Sequence, residues 1–193
     1  ANMVSVAAGR ALSGKRPFVY SIAPFATVRC LEQIRNDVCN MGAPVVVVGV
    51  GGGYAYGANG ATHHGVDDIA VTRAMAGMTV VCPADPWETA RLVAALAERA
   101  APAYLRLSRA GEPDLQRVDN IVELGRPAVL RAGSGVAILA TGPIASEALA
   151  AAEQLTRDGE GPLVLSVHTV KPLTGLATLM RDHHSIVLAS RTW

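Results

Sequence analysis

Short apolar runs and amphipathic stretches alternate along the first 110 residues of the chain. The apolar runs predict strands, near Phe18–Ile22, Val45–Val50, Thr79–Cys82 and Ala103–Leu107. Stretches with apolar residues at helical spacing predict helices, at Asn2–Leu12, Thr27–Met41, Asp67–Met75 and Pro86–Arg99. This regular alternation predicts an α/β fold with a doubly wound, mainly parallel sheet.

The predicted helix at Pro86–Arg99 carries the clearest start signals. Asp85 is a candidate N-cap, Pro86 takes the first helical position, and Glu88 falls where a capping box needs a glutamate. We therefore expect the helix to begin at Pro86.

A second α/β unit follows a stretch of low apolar density between residues 110 and 125. Its predicted elements are Val136–Ala140, Ile144–Arg157, Leu163–Val167, Leu173–Arg181 and Ile186–Ala189. We expect one domain at 1–113, a boundary near Asp114–Val122 and a smaller α/β domain at 123–193. The chain stops at Trp193, directly after an apolar run, so we expect the second domain to be truncated.

The composition argues against nucleic-acid-binding and membrane proteins. Half of the 193 residues are apolar, and the formal net charge is +1, which gives no electrostatic case for nucleic acid or an anionic membrane. No apolar run is long enough to span a bilayer. The three cysteines, Cys30, Cys39 and Cys82, have the odd number and irregular spacing of reduced thiols. We expect a cytoplasmic protein with no metal site of its own.

The main candidate functional residues follow directly after the predicted strand Val45–Val50. Gly51-Gly52-Gly53 would let the backbone approach a ligand, and His63 and His64 then precede an acidic helix start. Imidazoles ionise near neutral pH, and ligands bind at the carboxyl ends of strands in open α/β sheets. The pattern predicts a catalytic or ligand-binding edge.

Several stretches, in this order and spacing, resemble the C-terminal half of transketolase-type thiamine diphosphate enzymes. They are Asn2–Gly9, Pro17–Phe25, Glu32–Asp37, Gly60–His64 with Asp67–Ile69, Cys82–Asp85 and Leu107–Arg109. The resemblance implies a thiamine diphosphate pyrimidine-binding domain at 1–113 and a transketolase C-terminal-like domain at 123–193.

The same resemblance implies that two separate components together form the cofactor site. A separate N-terminal transketolase component would hold the diphosphate and a divalent metal ion, Mg²⁺, in a heterotetramer with two copies of each chain. The glutamate that activates the cofactor in this family would fall immediately before Ala1.

The resemblance also assigns site residues. His63 matches the histidine that faces the substrate and assists proton transfer, a role that imidazole suits, whereas a bond to the glycine turn is its structural alternative. His64 either contacts the substrate or supports the loop. Arg109 matches an arginine that binds the substrate phosphate, and its alternative is a salt bridge at the domain edge.

Phe25 and Gln33 are the candidate cofactor contacts. Phe25 either stacks on the aminopyrimidine ring or packs in the core beside Pro24. Gln33 either lies near the same ring or is a helix-surface amide. For Asp67 and Asp68, helix capping and dipole compensation are sufficient explanations. His183 and His184 are interpreted as a solvated turn.

Two positions depart from the sugar-phosphate transketolases that the chain resembles. Asn59 stands where those enzymes typically carry an aspartate that contacts a donor hydroxyl, and Gly51 stands where they tend to have a phosphate-contacting histidine. The identity of the donor therefore stays open.

The sequence thus predicts the C-terminal component of a split, thiamine diphosphate-dependent transketolase-like enzyme that transfers a two-carbon ketol unit. Two alternatives remain. One is a ketoacid-decarboxylating component like the pyruvate dehydrogenase β subunit, and the other is a non-catalytic structural or regulatory subunit of the same fold.

Overall fold

The computed structural model describes residues 1–115, 117–118, 121–157 and 160–190. These residues form two compact units, one of residues 1–81 and 93–110 and the other of residues 82–92 and 111–190. The predicted domain boundary falls partly on residues outside this description, as do the last three residues of the predicted second domain.

The first 107 residues alternate between helices and strands. In chain order the elements are α1 (Asn2–Leu12), β1 (Phe18–Ile22), α2 (Ala23–Ala26), α3 (Leu31–Gln33), β2 (Val46–Val50), α4 (Asp68–Ala74), β3 (Thr79–Val81), α5 (Pro86–Glu98) and β4 (Ala103–Leu107). The strands lie in the order β1-β2-β4-β3, and every neighbouring pair in this order is parallel. The α/β fold class is confirmed.

The register of this sheet gathers three strand ends at one edge. Ile22 is level with Val50, and Val50 is level with Leu107. The segments that follow these three strands therefore start side by side. They carry Phe25, the glycine-histidine run and Arg109, which is the arrangement that places ligand sites at the carboxyl edge of parallel sheets.

The predicted single helix at Thr27–Met41 is wrong in detail. The structure has instead α2, a 3-10 turn at Val28–Cys30, α3 and a π-helix at Ile34–Asn40. Thr27 separates α2 from the turn with a non-helical backbone, φ −114° and ψ −82°. Apolar periodicity could not reveal this division, since the buried residues Cys30, Ile34 and Val38 keep the spacing of one continuous helix.

The second unit has its own sheet. Its elements are β5 (Ala128–Arg131), β6 (Gly135–Thr141), α6 (Ala145–Leu155), β7 (Leu163–Ser166), β8 (Thr169–Lys171), α7 (Leu176–Leu179) and β9 (His183–Ser190). The sheet order is β5-β7-β6-β9, with β5 antiparallel to β7 and the other pairs parallel. The buried alanines of α6 pack with Ile138 and Val164 in one core cluster.

The structure corrects the interpretation of His183 and His184 as a solvated turn. Both residues lie in β9, and His183 pairs with Gly135 of β6. The polar run around them has the composition of a turn, but parallel pairing with β6 extends the strand over it. In the described part of the chain, no helix is long and apolar enough to cross a membrane.

Candidate functional site

The glycine-histidine run forms a loop whose two ends are joined. Gly53 and Gly65 exchange backbone hydrogen bonds, N–H of Gly53 to O of Gly65 at 2.7 Å and N–H of Gly65 to O of Gly53 at 2.9 Å. Between them, 3-10 turns occupy Gly57–Asn59 and Ala61–His63. We call residues 54–64 the histidine loop.

The structure brings His63 and Phe25 together. Their ring centroids lie 5.0 Å apart with an interplanar angle of 68°, an edge-to-face contact. Both side chains belong to half-buried residues, and the Arg29 guanidinium carbon lies 4.2 Å from the centroid of the Phe25 ring. Phe25 is thus a partly accessible flat wall beside an imidazole.

The hydrogen bonds of the two histidines differ. Nδ1 of His63 is 3.0 Å from the hydroxyl of Thr62, and no hydrogen bond joins its Nε2 to another described residue. Nε2 of His64 lies 3.2 Å from the carbonyl oxygen of Gly57 and must carry the proton to donate there. His64 also meets the Tyr54 ring edge-to-face at 4.9 Å. His64 therefore braces the loop from within, and His63 keeps one nitrogen available.

Arg109 follows β4, the strand that pairs with β2, and its side chain is exposed. Its guanidinium carbon lies 5.7 Å from the centroid of the Tyr56 ring, near the outer limit of a cation–π contact. Within the described ranges, no carboxylate pairs with Arg109. The salt bridge weighed as its structural alternative is therefore not found there.

Tyr56 was not identified from the sequence as a residue of this region. Gly51 is the feature of the sequence that could have indicated a ring packed against the backbone here. Gly51 has φ +75°, and a Cβ built on it would overlap Cε2 of Tyr56. The Tyr56 ring therefore occupies the space that a side chain at residue 51 would fill. Only a glycine combines that backbone conformation with that close approach.

Asn59 and Gln33 do not join the pair of His63 and Phe25. Asn59 is exposed in its 3-10 turn, where its N–H donates to the carbonyl of Tyr56 at 2.9 Å. Gln33 lines an open cavity of about 580 Å³ together with Arg29 and Glu32. Arg29 contacts both that cavity and the ring of Phe25.

Asp68 makes contacts that its capping interpretation did not predict. Asp67, the N-cap of α4, makes no side-chain capping bond, and Asp68 accepts hydrogen bonds from Tyr104 and Arg106 instead. Side-chain capping was wrong, because the Asp68 carboxylate points into the unit, where two strand residues supply donors. The position of Asp68 in the first turn of α4 agrees with dipole compensation. Among the residues described, no group of three or more His, Cys, Asp or Glu side chains could hold a metal ion.

Comparison with known proteins covers almost the whole chain. Residues 1–112 match the family model of the transketolase pyrimidine binding domain, and residues 125–192 match that of the transketolase C-terminal domain. The chain is 39% identical over 179 residues to the 6-deoxy-6-sulfo-D-fructose transketolase subunit of Clostridium sp. (strain MSTE9), a match covering 93% of this chain and 56% of the relative.

Two further matches, one to a curated protein and one to a solved structure, are also to transketolases. The chain is 39% identical over 171 residues to an apulose-4-phosphate transketolase subunit of Phocaeicola vulgatus, covering 88% of this chain and 55% of the relative. A solved structure described as a split gene transketolase, inactive beta4 tetramer, is 34% identical with a TM-score of 0.86, covering 97% of this chain and 62% of that chain. The chain spans about half the length of these two curated relatives.

Proposed function

Because this chain belongs to the transketolase family, we propose that it acts as the C-terminal component of a split transketolase-like transferase. The enzyme moves a two-carbon ketol unit with thiamine diphosphate. The contact between the rings of Phe25 and His63, at the carboxyl edge of the parallel sheet, is the observation that carries the proposal.

The site fits the aminopyrimidine part of thiamine diphosphate. A flat heteroaromatic ring needs a flat apolar wall, and the half-buried ring of Phe25 offers one beside His63. When bound, thiamine diphosphate supplies the carbanionic nucleophile for a carbonyl carbon. Phe25 would contact the aminopyrimidine ring, and Gln33, which lines a cavity together with Arg29, would be a second candidate contact.

His63 is the candidate catalytic residue in this proposal. Thr62 orients its imidazole through Nδ1, at 3.0 Å, so Nε2 is the atom that holds or accepts the substrate proton. His64 acts on the substrate only through its support of the loop, and Asn59 offers an uncharged amide to a donor hydroxyl.

The proposed partner is an N-terminal transketolase component that holds the diphosphate and Mg²⁺. The two family models that match are pyrimidine-binding and C-terminal domains, and two relatives are named as subunits. We infer a heterotetramer with two copies of each chain, located in the cytoplasm.

The proposed substrates are sugars that end in an anionic group. The two relatives are named for a 6-sulfo sugar and a sugar 4-phosphate, both of which carry a terminal anion. Arg109, exposed and without a carboxylate partner in the described ranges, is suited to bind a sulfonate or phosphate through two parallel N–H bonds.

The test is reconstitution. The chain is purified with and without an N-terminal transketolase component, and two-carbon transfer is measured with thiamine diphosphate and Mg²⁺ for fructose 6-phosphate, 6-deoxy-6-sulfo-D-fructose and apulose 4-phosphate. We expect turnover only with the partner, and His63→Asn should lower kcat by about 10²-fold. His184→Gln, a histidine change in the second unit, is the control.

Four results would count against the proposal. Transfer by the chain alone would contradict the split organisation, and an unchanged kcat in His63→Asn would remove its proposed role. Decarboxylation of pyruvate in preference to the sugars would favour the ketoacid alternative. Absence of turnover with every donor and partner would favour the non-catalytic alternative.

A further inference from the structure

A buried polar trio lies beneath the histidine loop and consists of Asp68, Tyr104 and Arg106. Asp68 and Tyr104 are fully buried, and Arg106 is 6% exposed. One carboxylate oxygen of Asp68, Oδ2, accepts from the Tyr104 hydroxyl at 2.5 Å and from Nε of Arg106 at 2.9 Å. An ion pair so enclosed is little screened by solvent or salt.

The same arginine reaches the end of the histidine loop. Nη2 of Arg106 donates to the carbonyl oxygen of Gly65 at 3.0 Å. That oxygen also accepts from the N–H of Gly53, so the closing point of the loop is held by backbone and guanidinium together. The planar fork of arginine suits this task, because two of its donors bind two different groups at once.

The glycines around the trio show how closely it fits the backbone. A Cβ on Gly52 would overlap Nε of Arg106, and a Cβ on Gly49 would overlap the hydroxyl of Tyr104. Side chains larger than hydrogen at these two positions would displace the trio. The strand β2 and the loop entry therefore leave room for it.

The loop end also contacts the segment that carries Phe25. A Cβ on Gly65 would lie 3.0 Å from Cβ of Ala23, the first residue of α2. Gly65 is two residues from His63, and Ala23 is two residues from Phe25. Gly65 and Ala23 therefore lie close together, each two residues away from one of the two site rings.

We propose that Asp68, Tyr104 and Arg106 are positioning residues that hold the histidine loop so that His63 faces the reacting atoms, a role that rests on the proposed function. The trio acts through Gly65 and does not itself touch the substrate. Its loss should therefore lower kcat by more than loss of stability alone would.

The test uses Arg106→Lys and Tyr104→Phe in the full chain. Lysine keeps the charge but lacks the rigid planar fork whose Nε and Nη2 match the positions of Asp68 and Gly65. Phenylalanine removes only the hydroxyl. Val46→Ala, a buried change at the opposite end of β2, is the control for general destabilisation. Tyr20→Phe removes an exposed hydroxyl from β1 and controls for the tyrosine change.

Two readouts separate this proposal from the proposed function. Amide hydrogen exchange at Gly53 and Gly65 is measured on the chain alone, and kcat and KM are measured in the reconstituted enzyme. For Arg106→Lys we expect at least tenfold faster exchange at these two amides relative to the β1 amides, and at least a tenfold lower kcat. Tyr104→Phe should show smaller changes in the same direction.

The outcomes are distinct. If exchange at Gly53 and Gly65 rises no more than in Val46→Ala, the trio is merely structural and the proposal fails. If exchange rises selectively while kcat stays at its wild-type value, the loop is held but does not position His63, and the proposal also fails. If the unsubstituted enzyme has no activity, the proposed function has failed, and the exchange data still decide whether the trio holds the loop.

Discussion

At the scale of single residues, Gly51 leaves the space that the ring of Tyr56 fills. Its backbone has φ +75°, a conformation that residues with a Cβ rarely adopt, and the Tyr56 ring lies against it. Tyr56 in turn lies under the guanidinium of Arg109. A single glycine therefore permits the close approach of Tyr56, the ring nearest to the proposed anion-binding arginine, Arg109.

We expect Gly51→Ala to destabilise the chain and to raise KM for anionic donors. The positive φ should cost about 1–2 kcal/mol, and the added methyl must displace the ring of Tyr56. Urea unfolding measures the first effect, and donor kinetics in the reconstituted enzyme measure the second.

Gly42→Ala is the matched control for this prediction. Gly42 has φ +61°, but a Cβ there would meet nothing within 4 Å. It should lose similar stability while KM stays unchanged. An equal rise in KM for both variants would contradict the role of Tyr56, and the double variant with Tyr56→Ala should regain part of the stability lost by Gly51→Ala.

At the scale of elements, the start of α5 behaves as the sequence predicted. Oδ1 of Asp85 accepts from the N–H of Glu88 at 2.8 Å. The Glu88 carboxylate reaches back to the N–H of Ala84 at 2.7 Å, one residue before the cap. The local signal was sufficient here because a capping box is made entirely by residues within a few positions of each other.

Tertiary contacts add what the capping box alone could not indicate. Oδ2 of Asp85 lies 2.6 Å from Nη2 of Arg117 and accepts from the N–H of Leu115 at 2.9 Å. Both carboxylates are buried with Arg117, whose side chain is 4% exposed. The same aspartate thus caps a helix and neutralises a buried arginine.

We expect Asp85→Ala to cost about 3–5 kcal/mol in the free energy of unfolding, because it leaves the charge of Arg117 buried without this partner. The measurement is urea unfolding at neutral pH. Asp67→Ala is the matched control, since Asp67 is the N-cap of α4 but makes no side-chain capping bond. A loss in Asp85→Ala no larger than in this control would show that the ion pair contributes nothing.

Other elements could not be predicted from local pattern. Residues 128–131 are too short a run to indicate a strand, and β5 exists because it pairs antiparallel with β7. His183 extends β9 because Gly135 of β6 lies opposite it. Strand pairing is a property of distant segments, and no local signal records which segments will meet.

At the scale of the whole molecule, burial of ionisable groups in the second unit links its stability to pH. Burial, with a smaller effect of Arg117, lowers the pKa of His168 from 6.5 to about 4. Burial raises the pKa of Glu88, and hydrogen bonds from Ala84 and Ser166 partly oppose this rise. The two groups therefore have opposite effects on stability as pH falls.

The His168 effect has a definite sign. Between pH 6.5 and 4 the unfolded chain binds a proton at His168 that the folded chain excludes, so stability falls as pH falls through this window. The full effect is about 3 kcal/mol. Glu88 keeps its proton to higher pH when folded, so its contribution falls as pH rises above its usual value of 4.5.

We expect His168→Gln to flatten the loss of stability between pH 6.5 and 4. We expect Glu88→Gln to reduce the loss of stability as pH rises above 4.5. The free energy of unfolding is measured in urea at half-unit steps of pH. His184→Gln is the control because His184 is exposed. An unchanged pH dependence in His168→Gln would mean that folding does not change the pKa of His168, so that burial does not exclude its proton.

The sequence by itself determined the α/β class, the strands and helices with strong periodicity, the start of α5 and the identity of the chemically active run. These depend on local preferences: apolar spacing, capping residues and glycine turns act over a few positions. They also sufficed to indicate the family, because its motifs are short stretches in a fixed order.

Only the tertiary structure decided which of those residues meet. Register alignment put Ile22, Val50 and Leu107 level and so placed Phe25, His63 and Arg109 after adjacent strands. It also buried Asp68 against Tyr104 and Arg106, which lie more than 30 positions away. The physical reason is that a buried carboxylate must find its donors among whatever side chains the fold brings to it, and those are set by sheet order rather than by neighbours in sequence.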